Sequence, residues 1–299
     1  MSNLALSTLG PAEILRHQMA QLTPNTRRAY DQDLRAFAAW ASLGGPEAVA
    51  RWFAETEVGT ANGAVLAFAN SLHGKGLAGS TVARRLTGIR SLVSILRTVG
   101  LCHYSIGVRA GKSKAPRRAT HGPSTAEWGR MLTAAKDAQL RAILLLLHDL
   151  GLRRGEVVAL NLADLSGSTL EVTRKGQGTS KFARKLSARA RAALDAWLEE
   201  RGDEEGPLFL GVEGQRLNAS VLYRWVRNLA RSVGLTRTVS PHRIRHTAAT
   251  ALAELSNGNT VMVADFLGHA DLSTAQRYVD AVEDRAGKGT ALVAGEARS

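Results

Sequence analysis

One cysteine, Cys102, stands in the whole chain, so no internal disulfide can form and packing must hold the fold together. No group of cysteines and histidines has zinc-site spacing, and Cys102 beside His103 reads as a packing pair rather than a metal pair. Long apolar runs are missing as well. The most apolar stretch, residues 142–147, falls far short of the roughly 20 residues that cross a bilayer. The opening residues, MSNLALSTLGPAEILRH, lack a basic segment followed by an apolar one, so no signal peptide is expected. No internal repeat occurs. The sequence therefore excludes a disulfide-stapled scaffold and a membrane-spanning helix, and a soluble cytoplasmic protein is expected.

Acidic charge is also in short supply, with 26 Asp and Glu against 39 Lys and Arg and a net charge of +13. Eleven basic and six acidic residues leave +5 in residues 1–110, and 28 basic against 20 acidic leave +8 in residues 111–299. An excess spread over both halves points to a polyanion touched by both, and nucleic acid is the first candidate. The length, 299 residues of which 44% are hydrophobic, suits about two domains at roughly 100–200 residues each, with proper cores.

Helical spacing dominates the first part. Ile14, Leu15, Met19 and Leu22 form one stripe, and Tyr30, Leu34, Phe37, Ala38 and Trp40 a second behind a start signal at Thr23-Pro24-Asn25-Thr26, with Thr23 or Asn25 as the cap. Stripes through Val49, Trp52 and Phe53 and through Val65, Leu66, Phe68, Ala69 and Leu72 follow. A fifth helix runs through Val82, Leu86, Ile89, Leu92, Val93 and Leu96, with Ser80 or Thr81 expected as its cap. No strand-like alternation occurs before residue 110. Residues 111–122 are polar and basic, a linker in which Lys112, Lys114, Arg117 and Arg118 could strap a phosphate backbone. Ser124 with Glu127 makes a capping box for the next helix. Residues 169–186 then change period. Leu170 and Val172, a glycine-rich tip carrying Lys175, and Phe182 with Leu186 read as a β-hairpin. The expected division is a helical domain at 11–110, the linker at 111–122, a mixed domain at 123–285 and a tail at 286–299. The fold class is mainly α with one small β-hairpin or sheet.

The chemistry concentrates in residues 240–278. His242 and Arg245 lie three apart just after Pro241, which suits the first turn of a helix and aims both side chains to one side. An imidazole and a guanidinium so placed can hold two oxygens of one phosphate. His246 is read as pointing off that face, as a hydrogen-bonding support. Leu267-Gly268-His269 and then Tyr278 follow. Upstream, Gly151-Leu152-Arg153-Arg154-Gly155-Glu156 supplies a further cation, Arg153, after a tight turn. Glu156 fits two roles, an arginine's buttress or the acid of a helix start. His148, inside the apolar helix, reads as a satisfied core residue.

The ordered set Arg153, His242-x-x-Arg245, Gly268-His269 and Tyr278 resembles the tyrosine recombinase (phage integrase) family, most nearly its two-domain Xer-type members. The resemblance spans residues 11–285. It implies a two-domain clamp on duplex DNA, with an N-terminal SAM-like core-binding domain and an α+β catalytic domain. It makes Tyr278 the nucleophile of a 3′-phosphotyrosyl intermediate and Arg153, His242, Arg245 and His269 the groups that stabilise the five-coordinate phosphorus. A hairpin lysine, Lys175, becomes the acid that protonates the leaving 5′ oxygen. This hairpin is longer than the family's usual pattern and lacks the proline before its closing leucine, so Lys181 stays open as the alternative. Arg27, Arg28, Arg84, Arg85 and Arg90 become DNA contacts of the helical domain rather than a solvated face. No metal, ATP or other cofactor is implied. The implied partners are double-stranded DNA and three further protomers on two duplexes, either copies of this chain or a second recombinase. The apolar residues 291–294 fit insertion into a neighbouring protomer or packing on their own chain. A type IB topoisomerase-like or telomere-resolving enzyme and a catalytically silent DNA-binding module remain the alternatives.

Overall fold

The computed structural model describes residues 9–109, 122–173, 180–268 and 272–282. Lys175, His269, the linker cations Lys112, Lys114, Arg117 and Arg118, and the apolar residues 291–294 lie outside them. The chain divides into two compact units, Met1–Arg118 and Ala119–Ser299.

The regular elements of the first unit's described residues are all helices: α1 (Pro11–Gln21), α2 (Pro24–Trp40), α3 (Pro46–Glu55), α4 (Val58–Gly74) and α5 (Gly79–Thr98). Prolines open three of these helices, where a missing N–H costs nothing. The Thr23 hydroxyl caps α2 by accepting from the Thr26 amide. The helix α5 departs from expectation. It begins at Gly79 behind Ala78, because the amides of Thr81 and Val82 already reach the Ala78 carbonyl. Ser80 and Thr81 therefore sit inside the first turn. At the centre Phe37 is fully buried, with the rings of Trp40, Trp52, Phe53 and Phe68 all within 5.8 Å of its own. Cys102 is buried and its thiol points at the Val93 carbonyl, a packing role as expected.

The second unit is built around α7 (Ala138–Asp149), whose residues 142–147 are all buried. A helix that is apolar all round must be covered all round. The surrounding elements are α6 (Thr125–Ala134), α8 (Arg154–Ala159), α9 (Ala188–Arg201), α10 (Ala219–Ser232) and α11 (Pro241–Leu255). Ser124 and Glu127 close the expected capping box on α6. Three antiparallel strands in the order β1 (Leu165–Ser166), β2 (Thr169–Thr173) and β3 (Lys181–Lys185) form the sheet, with Val172 opposite Phe182 and Thr173 opposite Lys181. Leu170 and Val172 are buried while Glu171 and Thr173 face water, which is the period-2 pattern of a half-covered strand. The two-residue β1 has no pattern long enough to read.

Two short helices, α12 (Thr260–Leu267) and α13 (Leu272–Val282), pack on α11 through a separate cluster of Ala249, Ala253, Val263, Ala264, Leu267, Ala275, Tyr278 and Val279. The ring of Tyr278 belongs to this cluster and is 7% exposed. Among the described residues no helix is long and apolar enough to cross a membrane, and no group of three or more His, Cys, Asp or Glu could hold a metal ion.

Candidate active site

The turn after α7 is the first wall of the site. Gly151 has a φ of +59°, and a Cβ there would stand 2.6 Å from the Phe266 ring of α12. Glycine is required on both counts, conformation and space. The turn delivers Arg153 as the residue that caps α8. Glu156 answers both its backbone N–H and its guanidinium at 2.7 Å, and lies 3.9 Å from the Arg245 guanidinium. Glu156 thus fills both of its expected roles at once: it starts α8 and it buttresses two arginines.

The second wall is α11. Ser240 caps it by accepting from the Arg243 amide, and Pro241 occupies the first turn. His242, Arg245 and His246 then fall on one side of the helix. Arg245 is only 3% exposed, and its two terminal nitrogens donate to the carbonyls of Gly151 and Leu267. Burial, and then the nearby Arg153, bring its pKa down to about 10, so it stays protonated at neutral pH. Glu156 and Tyr278 act in the opposite direction on it, which places the tyrosine within electrostatic reach. His242 is open to solvent on one side. Even so, burial, followed by the Arg245 and Arg153 charges, pushes its pKa below the ordinary histidine range.

The third wall is α13 with the last turn of α12. Gly268 ends α12 in the left-handed conformation. The Tyr278 hydroxyl lies 3.4 Å from His246 Nε2, and that same nitrogen lies 2.9 Å from His242 Nε2. His246 therefore does not point off the His242 face. Residues four apart on a helix stack one above the other, and this spacing alone could have shown it.

Arg184 was not singled out by any sequence motif. From β3 it donates to the carbonyls of Asp265 at 2.6 Å and Phe266 at 3.0 Å. With Arg245 on Leu267, two guanidiniums take the last three carbonyls of α12, where the helix dipole is negative. The strand that leads out of the hairpin is thereby tied to the segment that leads to Tyr278. Lys181 sits elsewhere. Its amine is 2.5 Å from Asp164 and 3.5 Å from Glu171, and the Asp164 hydrogen bond holds its pKa above the usual lysine value.

His148 is a core support as expected, stacked on Trp128 and 2.9 Å from Asp149. Burial alone would raise the Asp149 carboxyl, but hydrogen bonds from Arg189, His148 and Ser187 outweigh it and hold the group well below the carboxylate range.

In the first unit Arg27 and Arg28 are exposed at the start of α2. Arg84 is half-exposed and bonds the buried Asp33 carboxylate at 2.6 Å, while Arg85 is partly buried beside it. Arg90 turns to the Val108 carbonyl. Arg27 also reaches backbone carbonyls, those of Ala20 at 3.4 Å and Leu22 at 3.5 Å. A surface cation already tied to a backbone carbonyl has less to offer a phosphate, so Arg28 is the more open member of the set.

A profile of the Phage integrase family matches residues 125–285, and one of the phage integrase N-terminal SAM-like domain matches residues 17–99. A tyrosine recombinase of Synechococcus elongatus is 36% identical over 283 residues, 90% of this chain and 88% of that protein. The tyrosine recombinase XerC of Salmonella typhi is 30% identical, over 93% of this chain and 92% of its own. Two solved structures share the fold. XerH site-specific recombinase, in a post-cleavage complex with a palindromic difH substrate, has a TM-score of 0.69 at 20% identity and covers 97% of this chain and 95% of its own. A lambda integrase dimer on a COC′ core site has a TM-score of 0.68 at 17% identity, with 95% and 79% covered.

Proposed function

This chain belongs to the phage integrase family, and we propose from that premise how its own residues divide the work of a site-specific tyrosine recombinase. The enzyme cuts and rejoins DNA. The Tyr278 phenolic oxygen attacks the scissile phosphorus, a 3′-phosphotyrosyl bond forms, and the bond to the 5′ oxygen breaks. Arg153, Arg245, His242 and His269 hold the non-bridging oxygens as charge builds on them. The 5′ oxygen leaves with a proton from Lys175. One phosphodiester replaces another of similar energy, so no ATP is consumed. The 5′ hydroxyl of the partner strand then reverses the step, and four protomers on two duplexes exchange strands in pairs. Residues 17–99 and the basic linker close on the duplex from the N-terminal side.

The observation that carries this reading is the chain of contacts joining Arg153, His242, Arg245 and Tyr278: Glu156 lies against Arg153 and Arg245, and His246 against His242 and Tyr278. Nuclease protection would first map the duplex that the protein covers. Two linear duplexes carrying that sequence, incubated with the protein in EDTA and without ATP, should give recombinant products of exchanged length. Relaxation of a plasmid without the site, and no exchange, would instead indicate a type IB topoisomerase-like enzyme.

The choice of acid has its own test. Lys175→Ala should slow cleavage by about 10²-fold or more, and a scissile bond with sulfur in place of the 5′ oxygen should restore it, because a thiolate leaves without a proton. Lys181→Ala should cleave the ordinary substrate almost normally, since its amine is held by Asp164 as a poorer acid. The reverse pattern would make Lys181 the acid.

A further inference from the structure

We propose that His246 is the general base that takes the phenolic proton of Tyr278, and that His242 withholds this base until a phosphate is bound. The inference rests on Tyr278 being the nucleophile. One nitrogen of His246 faces both partners: Nε2 is 2.9 Å from His242 Nε2 and 3.4 Å from the Tyr278 hydroxyl. The His246 ring also lies against both neighbours, at 4.3 Å from the His242 ring and 4.9 Å from the Tyr278 ring.

An imine nitrogen of imidazole has a single lone pair. With His246 in its Nδ1–H form, that lone pair accepts either the Nε2–H of His242 or the hydroxyl of Tyr278. Of the two histidines, His242 is the one open to solvent beside Arg153 and Arg245, where a phosphate would sit. Burial, and then those two cations, disfavour a charge on His242, and the neutral ring has one N–H to give. A phosphate oxygen is the stronger acceptor and draws that N–H away. The lone pair of His246 is then left to the phenol. A contact of 3.4 Å is long for proton transfer, and such contacts in free enzymes tighten once substrate is bound.

The proton balance closes. The Tyr278 hydroxyl proton passes to His246 Nε2 as the phenolic oxygen bonds to phosphorus. The leaving 5′ oxygen takes its proton from the general acid. His246 holds the imidazolium through the covalent intermediate and returns the proton to the tyrosine when the second 5′ hydroxyl expels it, and that hydroxyl gives its own proton back to the deprotonated general acid. Sequence reading assigns His246 only a supporting hydrogen bond, because the tyrosine is 32 residues away.

His246→Gln keeps a hydrogen-bonding amide near the same point but cannot accept a proton. Its single-turnover rate of adduct formation on a nicked suicide duplex should fall about 10²-fold at unchanged DNA affinity. Replacing Tyr278 by 3,5-difluorotyrosine, whose phenol is more acidic, should recover most of that loss in the variant and change the unmodified enzyme little. Wild-type adduct rates in His246→Gln, or a deficit that difluorotyrosine does not narrow, would overturn the proposal. Should glutamine disturb the packing, His246→Ala gives the same readout. Rescue by added imidazoles that grows with their basicity supports the base, and no rescue overturns it. Adducts that persist in Tyr278→Phe would remove the nucleophile itself, whereas normal adducts in His246→Gln alone would remove only this base.

Discussion

A Tyr278→Phe protein should bind its DNA site with nearly unchanged affinity and form no covalent protein–DNA adduct. The ring belongs to the small apolar cluster of α11, α12 and α13, and phenylalanine keeps that packing. What is lost is one oxygen, 3.4 Å from His246 Nε2 and within reach of the Arg245 charge. Removing the nucleophile of an enzyme that forms a covalent intermediate costs on the order of 10⁶-fold, so adducts should fall below detection. A denaturing gel of a suicide substrate decides the matter. A shifted band with the phenylalanine protein would assign the attack to another residue.

The second large effect is expected at the two arginines. Arg245→Lys and Arg153→Lys should each slow cleavage by about 10²–10³-fold, with the circular dichroism of the fold retained. The reason is geometric rather than a matter of charge. Arg245 spends one N–H from each terminal nitrogen on the carbonyls of Gly151 and Leu267, and these bonds fix the plane of its fork. An ammonium group has no plane and cannot satisfy both carbonyls and a phosphate together. Arg153 depends likewise on Glu156, which grips its side chain and its backbone at once. Near-normal cleavage by either lysine variant, measured in a single turnover, would place the phosphate clamp elsewhere.

How much of this was legible in the sequence depends on the distance over which each feature is decided. The signals at Thr23, at Ser124 with Glu127, and at Pro241 act within four residues, and they start helices where the pattern says they should. The spacing of His242 and Arg245 could be read as one helical side for the same reason. The apolar residues 142–147 announce a helix that must be buried, and α7 is the centre of its unit. Features decided over longer distances were hidden. Arg184 meets the end of α12 across more than 80 residues, and Glu156 reaches Arg245 across 89. Neither partner carries any local mark of the other. His246 is an intermediate case: its place beside His242 follows from spacing, but its contact with Tyr278 needs α13 folded back on α11. The start of α5 was misjudged because serine and threonine often cap helices, whereas here the Ala78 carbonyl suffices.

The way Arg245 is held has a consequence for the trade between durability and activity. Other arginines of the second unit meet carboxylates at close range: Arg189 meets Asp149, Arg191 meets Asp195 and Arg237 meets Glu127. Arg245 is gripped by neutral carbonyls instead, with Glu156 no nearer than 3.9 Å and Arg153 close by. Those two bonds fix its orientation. A depression of its pKa to about 10 corresponds to about 3 kcal/mol of folding stability given up. A phosphate beside the guanidinium would offset that cost. A neutral side chain at this position would remove that cost but take from the Gly151 and Leu267 carbonyls the donors that satisfy them, so the same arginine ties the fold together and presents a charge to the phosphate.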